Sequence, residues 1–329
     1  MNRSLVVLVL GVISAAAQAQ NVSIRPSERG MLIEVDGALF TEYVVRDTQR
    51  PYFYPVIGPN AAGVTREYPT PGGVKFDHVH HSSIWFGHDG MNGVNFWGVS
   101  AGAGRVENTG FSEVKAEGNT ASFSAKSRWL TAGGELVLED ERHFVLKALP
   151  GGARQMDVRL TFVASAGEVR FRDTKEGAMG IRVARSMAMA GHKFAPEEGR
   201  GHILTSAGKR DGLAWGTRGT WTSYFGPDPS GETVSVTMMD HPLNLNHPTW
   251  WHVRDYGLFA ANPFGRSDFE ATGEALNQGP TAGERGVSKV SHTIAGGTSL
   301  TQRYRILIEK GEPASAKLDA VFEAYSATR

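Results

Sequence analysis

The chain has 329 residues, with 34 basic and 34 acidic side chains, 40 glycines and no cysteine. A net charge of zero gives no electrostatic basis for binding nucleic acid. The absence of cysteine excludes disulfide bonds and a lipoprotein thioether anchor. After the N-terminal segment, no stretch is apolar over the roughly 18 residues that a membrane-spanning helix needs, so we expect a protein that does not span the membrane.

The first residues have the pattern of a secretory signal peptide. Arg3 gives a basic start, residues 5–13 are apolar, and Ala17-Gln-Ala19 is a small-residue cleavage motif. Cleavage after Ala19 removes Arg3, which leaves 33 basic against 34 acidic side chains. The sequence therefore predicts a signal peptide over 1–19, a periplasmic or secreted protein, and a single β-sandwich domain over 20–329.

The rest of the chain consists of short runs in which apolar and polar residues alternate. Period-two alternation is typical of strands with one buried face, and turn signals such as Asp36-Gly37 separate the runs. This pattern predicts an all-β fold, a large antiparallel β-sandwich. The clearest runs are Met31–Val35, Ala121–Ala125, Phe144–Leu146, Met156–Phe162, Val234–Met238 and Leu300–Ile308.

One segment near the C-terminus has helical periodicity, at about Pro313–Ala327. A proline suits the first turn of a helix, because its missing N–H has no partner there in any case. The apolar stripe comprises Leu318, Val321, Phe322 and Tyr325. We therefore predict one short C-terminal helix on the sandwich.

The first group of candidate functional residues is the segment 76–98, FDHVHHSSIWFGHDGMNGVNFWG. A strand over 75–81 would put His78 and His80 on one face and His81 on the other. Histidines in this spacing can hold a transition metal through neutral imidazoles. They can equally well make hydrogen bonds inside a polar interior. The candidate ligands for a divalent metal are His78, His80 and His88.

The same segment contains a pattern that suits a sugar. Asn95 and Trp97 are two residues apart and would share a strand face. An amide beside an indole can bind sugar hydroxyls at the edge of the ring and C–H groups on its face. The alternative for each aromatic residue is a place in the core.

A second charged group is the segment 171–186, FRDTKEGAMGIRVARS. Asp173, Lys175 and Glu176 lie between apolar flanks. Neighbouring carboxylate and ammonium groups shift each other's pKa values, which a general acid or base requires. The alternative is a solvated turn with surface ion pairs.

The third group is the segment 240–265, DHPLNLNHPTWWHVRDYGLFAANPFG. On a strand, His252 and Arg254 would share one face, and Trp251 would lie on the other with Val253. The alternative is a buried aromatic strand whose polar groups satisfy each other. Because three such groups in one chain are unlikely to be independent, we expect them to meet at one polar and aromatic pocket.

These groups carry a resemblance to a known family. The matching motifs are Asp77-His78-x-His80-His81, Trp85-Phe-x-His88, Asn92-Gly-x-Asn95-Phe-Trp97, Asp173-Thr-Lys-Glu-Gly177, Trp215-Gly, Trp221, Asp240-His-Pro-x-Asn244, and Trp251-His-x-Arg254-x-Tyr-Gly-Leu-Phe-x-Ala-Asn-Pro-Phe-Gly265. In these motifs the chain resembles the DUF6807 family of secreted bacterial proteins, often labelled "methane oxygenase PmoA". A membrane subunit of particulate methane monooxygenase crosses the bilayer several times, so that label does not suit this chain.

The resemblance implies work on carbohydrates without defining a reaction. The strand-rich pattern also looks like the galactose mutarotase-type supersandwich, in which a histidine acid and a carboxylate base act on a sugar ring. Our hypothesis is an enzyme that uses such acid–base catalysis on a sugar or sugar derivative, with a small molecule or oligosaccharide as ligand and no nucleic acid partner. The alternatives are a non-catalytic periplasmic glycan-binding β-sandwich and a metal-dependent oxygenase.

The hypothesis assigns roles to particular residues. The predicted catalytic residues are His81, His88, Glu176, His252 and Asp173. The predicted substrate-binding residues are Asn95, Trp97, Lys175, Trp221, Asn244, Trp251, Arg254 and Asn262. A histidine would transfer a proton near neutral pH, and a divalent metal is the one cofactor that the sequence suggests.

Overall fold

The computed structural model of the chain describes residues 20–69, 77–194, 197–270 and 289–328, so the predicted signal peptide lies outside the described residues. Strands β1 to β10 are Val22–Pro26, Gly30–Val35, Ala38–Val44, Tyr52–Val56, Ile84–Met91, Val94–Asn95, Arg105–Glu117, Thr120–Leu130, Leu136–Ala148 and Arg154–Val163. Strands β11 to β19 are Val169–Arg172, Gly177–Arg182, His202–Thr205, Trp221–Pro227, Thr233–Asp240, Trp250–Val253, Leu258–Asn262, Val290–Ile294 and Ser299–Lys310. The α-helices are α1, Arg266–Glu270, and α2, Ser315–Ser326.

The described strands form two large antiparallel sheets. The larger sheet has the order β1-β2-β3-β4-β5-β12-β17-β16, and β6, β11 and β18 join it beside β5. The second sheet has the order β13-β14-β15-β19-β10-β9-β8-β7. The predicted all-β sandwich with a short C-terminal helix is confirmed. Every run of alternating residues named above lies within a strand of these sheets.

The inner faces of the two sheets share the main hydrophobic core. In the larger sheet, Phe86, Met179, Ala261 and Trp251 lie opposite one another on four adjacent strands. All four belong to this core. Opposed residues of antiparallel strands point to the same side of a sheet, so this row defines the inner face.

The next row of the same four strands lies on the outer face, because side chains alternate along a strand. It consists of Trp85, Gly180, Ala260 and His252. A Cβ at Gly180 would lie 3.0 Å from the indole of Trp85, so glycine allows this ring to lie against the sheet. This part of the outer face thus consists of backbone and small residues, and the side chains of Trp85 and His252 project from it.

Helix α2 covers the outer face of the second sheet. Leu318 and Tyr325 of the helix pack against Trp221, Met239 and Leu307. The helix begins at Ser315, two residues after the predicted Pro313. No helix within the described residues has the length and apolar character needed to cross a membrane.

Candidate functional site

Four aromatic rings form a column on the outer face of the larger sheet. The His81 ring stacks on Trp85 at 5.2 Å between centroids, and His78 stacks on His81 at 4.8 Å. Tyr256 lies nearly parallel to both imidazoles, with its centroid 4.7 Å from that of His78 and 6.3 Å from that of His81. Trp97 lies at the side of the column, with its centroid 5.0 Å from that of Trp85. The column brings together the first and third groups of candidate residues.

The histidine-rich segment is not a strand where the structure describes it. Residues 77–83 form turns before β5, and residues 75 and 76 of the predicted strand lie outside the described residues. Because the segment does not alternate, His78, His80 and His81 do not point to opposite faces, and their ring centroids lie 4.5–5.6 Å apart. His78 has a positive φ of 41°, a conformation that non-glycine residues adopt rarely and mainly at turns and functional sites.

Two buried arginines hold this segment by its backbone carbonyl groups. Arg66 donates hydrogen bonds to the carbonyl oxygens of Asp77 at 2.8 Å and His78 at 2.9 Å. Arg50 donates to the carbonyl oxygen of His80 at 3.0 Å and to that of Gly98 at 2.7 Å. Charge-assisted hydrogen bonds of this kind are about twice as strong as neutral ones, so the turns are fixed although no ladder of strand bonds holds them.

The carboxylate of Asp77 is the centre of an ion-pair network beneath the column. It accepts hydrogen bonds from Arg66 at 2.9 Å, from Arg182 at 2.6 and 2.8 Å, and from His78 Nδ1 at 3.0 Å. Burial alone would raise the pKa of Asp77, but the His78 hydrogen bond and the two guanidinium charges hold it well below the usual range. Asp77 is therefore a permanent anion that orients its neighbours.

Arg182 also determines which nitrogen of His81 carries a proton. Its Nη1 lies 2.9 Å from His81 Nδ1. A guanidinium can only donate, so Nδ1 must accept, and the hydrogen of the neutral imidazole is on Nε2. Burial, with the charges of His80 and Arg182, lowers the pKa of His81 well below its ordinary value. His81 is thus a neutral hydrogen-bond donor at Nε2.

A second cluster completes the site next to Tyr256. The guanidinium carbon of Arg254 lies 5.6 Å from the centroid of the Tyr256 ring. Lys175 Nζ and Glu176 Oε1 form an ion pair at 3.3 Å in the turn before β12. Burial raises the pKa of Tyr256; Arg254 and Arg182 oppose this shift, and the carboxylate of Glu176 adds to it. The second group of candidate residues therefore also reaches this pocket.

His252 lies in the outer row near this second cluster. Its ring centroid is 5.0 Å from that of Trp215, and the side chain is 2% exposed. Burial lowers the pKa of His252 well below its ordinary value, and the charges of Arg254 and Lys175 lower it further. The sequence predicts a histidine that titrates near neutral pH, whereas burial keeps the rings of both His81 and His252 neutral.

Several buried nitrogen atoms of this site have no hydrogen-bond partner among the described residues. They are Trp85 Nε1, Trp97 Nε1 and His252 Nδ1. A buried polar atom without a partner costs about 1–3 kcal/mol, and native structures contain few of them. Other buried polar atoms of the described residues, such as both ring nitrogens of His88, also lack a partner. The three named here lie with the rings of the outer face, where a polar ligand would offset this cost.

An adjacent cavity opens beside Tyr256 and the Asp77 network. Its volume is about 20 Å³, and Arg66, Arg182 and Phe194 contribute to its lining. Phe194 is 40% exposed, and its ring packs against Tyr256 at 5.3 Å between centroids. A small cleft therefore lies next to Tyr256.

The structure does not place His88 in this site. His88 is three residues after Trp85 on β5 and points to the inner face, where its ring packs on Phe171 and Phe264 at 5.4 and 5.0 Å. Burial lowers the pKa of His88 to about 3; the Arg172 charge adds to this shift, and the Arg172 backbone carbonyl opposes it in part. His88 is therefore a neutral core residue and not a partner of His81.

The structure does not assemble the predicted metal ligands. Because His88 is on the inner face, only His78 and His80 of the three candidates are near each other. His78 Nδ1 is already bonded to Asp77. Across the described part of the chain, no group of three or more His, Cys, Asp or Glu side chains has a geometry that could hold a metal ion.

Three predicted site residues hold the backbone around the pocket. Asn95 Oδ1 accepts hydrogen bonds from the backbone N–H groups of Trp97 at 2.8 Å and Gly98 at 2.7 Å, which positions the indole. Asn262 donates to the carbonyl oxygen of Thr174 at 2.9 Å. Asp173 accepts from the N–H of Ser267 at 2.9 Å; burial raises its pKa, and these Ser267 hydrogen bonds oppose the shift.

Three other predicted site residues lie elsewhere. Trp221 is under helix α2, and its Nε1 donates to Asp319 at 2.8 Å. Asn244 donates hydrogen bonds to the Asp240 carboxylate at 2.7 Å and to a backbone carbonyl of β19. Trp251 is in the main core, and its Nε1 donates to a backbone carbonyl at 3.0 Å. These three side chains have local partners and do not face the column.

Sequence reasoning missed the two arginines that hold the site and the tyrosine at its centre. Arg50 and Arg66 are each 2% exposed, and nothing in their local pattern marks them as buried. Tyr256 is in the third group, between Asp255 and Gly257, and its proximity to the charged residues could have drawn attention to it. Arginines that bond to carbonyl groups of distant segments leave no spacing signal in a sequence.

The fold and the site together define a β-sandwich protein with an arginine-supported histidine and aromatic pocket on the outer face of its larger sheet. The chain belongs to the family of unknown function DUF6807, whose profile matches residues 31–323. This match confirms the resemblance of the motifs and covers nearly the whole chain. A comparison with curated proteins finds no match.

The geometry of His81 predicts a fixed tautomer. In ¹⁵N-edited NMR spectra, His81 should be neutral with its proton on Nε2 from about pH 8 to about pH 5, the range in which an ordinary histidine titrates. Arg182→Met should allow the Nδ1–H form to appear, because Nδ1 no longer has to accept from a guanidinium. Arg185→Met, a change at a neighbouring arginine, should leave the tautomer unchanged. A titration of wild-type His81 within this range would contradict the assignment.

The core position of His88 predicts an effect on stability. A histidine whose pKa falls from about 6.5 unfolded to about 3 folded costs stability as the pH falls below 6.5, by up to roughly 1.4 kcal/mol per pH unit. His88→Leu should therefore reduce the loss of unfolding free energy between pH 7 and pH 5 in urea titrations. Phe171→Leu changes the same cluster without a titratable group and should keep the wild-type loss. An unchanged loss in His88→Leu would contradict this placement.

Proposed function

We propose that the protein is a secreted carbohydrate-active enzyme that binds a sugar or sugar derivative at the ring column and acts on it by acid–base chemistry. The observation that carries the proposal is the set of buried, unpartnered nitrogen atoms on an aromatic wall at the outer face of the larger sheet. The predicted signal peptide supports the secreted placement. Recovery of an exported protein that begins at Gln20 would test that part of the proposal.

The chemistry of the wall suits a sugar ring. Indole and phenol faces pack on the C–H groups of a pyranose, and their edges are polar. Trp97 and Tyr256 supply such rings at this site, and 2% and 4% of their surfaces are exposed. The neutral Nε2–H of His81 adds a donor of fixed direction. Such groups favour a ligand with many oxygen atoms and an apolar face over a purely apolar one.

The titratable groups suggest a division of roles. Glu176 is the carboxylate of the site that no arginine holds, and it stands partly exposed beside Lys175. It is our candidate for the general base, which removes a proton from the substrate. His81 would donate a hydrogen bond to the substrate oxygen on which negative charge develops, a role for which a neutral imidazole is suited. His252 would act as a second hydrogen-bonding group.

The lowered pKa values of the histidines favour one alternative, a non-catalytic glycan-binding protein. Burial keeps His81 and His252 neutral, and neutral rings bind sugar hydroxyls without any proton transfer. The two functions differ in one respect that can be measured. An enzyme converts the sugar that it binds, whereas a binding protein releases it unchanged.

Glu176→Gln is the variant that tests the proposal. A panel of neutral and acidic monosaccharides and glycosides is screened by calorimetry for binding and by mass spectrometry for products. For a compound that is converted, Glu176→Gln should reduce turnover by about 100-fold or more and leave binding within a few-fold, because the amide keeps the size of the carboxylate.

The control is Glu168→Gln, a change of an exposed carboxylate that pairs with Arg170, and it should keep wild-type turnover. Binding without conversion would support the glycan-binding alternative. The absence of binding by any sugar of the panel, with the fold intact by circular dichroism, would refute a carbohydrate function.

A further inference from the structure

Arg254 is a half-buried cation of the site that forms no ion pair with any of the described residues. Its guanidinium carbon lies 5.0 Å from the ring centroid of Trp215 and 5.6 Å from that of Tyr256. Its Nε is buried and has no hydrogen-bond partner, and none of the described residues accepts a bond from its other nitrogen atoms. A desolvated charge without a partner is costly, so such a residue is retained for a reason other than stability.

The other arginines beneath the site differ from Arg254. Arg182 bonds to the Asp77 carboxylate with two contacts, and Arg50 bonds to two backbone carbonyls. Each of these guanidinium groups holds protein groups in place around the pocket. Arg254 has aromatic contacts only, which orient the group without using its hydrogen-bond donors.

The acidic groups of the neighbourhood do not neutralise Arg254. Asp77 is held by Arg66 and Arg182, and Glu176 is paired with Lys175 at 3.3 Å. His252, two residues before Arg254, is kept neutral and has an unpartnered Nδ1. Within the described residues, Arg254 thus keeps a charge without an ion pair, and His252 keeps a buried nitrogen without a partner.

We infer that Arg254 binds a carboxylate group of the substrate, which makes the substrate class an acidic sugar such as a uronic or aldonic acid. The inference rests on the proposed function. The ring contacts use none of the N–H groups of the guanidinium, so its donors remain for an anion. A planar carboxylate is the anion that such an edge binds with two parallel hydrogen bonds.

The test compares sugars that differ in the acidic group alone. D-Glucuronate and D-galacturonate are measured by calorimetry against D-glucose and D-galactose, on the full-length mature protein. The wild type should prefer the uronates by about tenfold or more, as expected for a charge-assisted hydrogen bond. This preference should weaken as the salt concentration rises, because the pair is partly exposed.

Variants separate the charge of Arg254 from its shape. Arg254→Met should abolish the preference for uronates and leave the affinity for the neutral sugars within a few-fold. Arg254→Lys should keep part of the preference, because it retains the charge without the fork of donors. The matched control is Arg210→Met, which removes an exposed arginine that also lies over an aromatic ring, Phe225 at 5.9 Å. It should bind like the wild type.

The outcomes distinguish this inference from the proposed function. Neutral sugars bound as tightly as the uronates, or a preference that survives in Arg254→Met, would overturn the inference and leave a carbohydrate function standing. Binding of neither class by a folded wild-type protein would overturn both. A uronate preference that disappears in Arg254→Met and persists in Arg210→Met would establish the carboxylate site.

Discussion

The site depends on one buried carboxylate, that of Asp77. It binds two guanidinium groups and a histidine, and both guanidinium groups also form a hydrogen bond elsewhere in the site. Arg66 continues to the carbonyl groups of the following turns, and Arg182 continues to Nδ1 of His81. Without the anion, two cations would be buried side by side, at a cost of several kcal/mol for an uncompensated charge. The ion pairs of Asp77 therefore determine how the rings above this carboxylate are arranged.

The fold could be predicted from the sequence because it depends on local periodicity. Alternating runs such as Met156–Phe162 became strands, and Asp36-Gly37 became a turn in which both residues have positive φ. The sequence also concentrated the candidate residues in three segments. Residues of all three reach the outer face of the larger sheet, where Trp97 packs on Trp85, and the charges of Glu176 and Arg254 act on Tyr256.

The assignment of single residues was less successful, for two physical reasons. Residues 77–83 follow turns that are held by distant arginines. The alternation of side chains along a strand therefore assigned His78 and His81 to the wrong faces. His88 does lie on a strand, but a neutral histidine packs between phenylalanines as readily as it lines a pocket. A sequence does not show whether a polar residue such as Asn95 or Asn244 bonds to a ligand or to the backbone of its own chain.

The outer row of Trp85, Gly180, Ala260 and His252 has a consequence for how this pocket can change in evolution. Its floor is main chain, and the methyl group of an alanine at position 180 would already press on the indole above it. The depth of the pocket is thus fixed by the sheet, and its width by the turns that carry the rings. Relatives with a different ligand should therefore vary in the surrounding turns while keeping the floor small, so that new specificity arises at the rim.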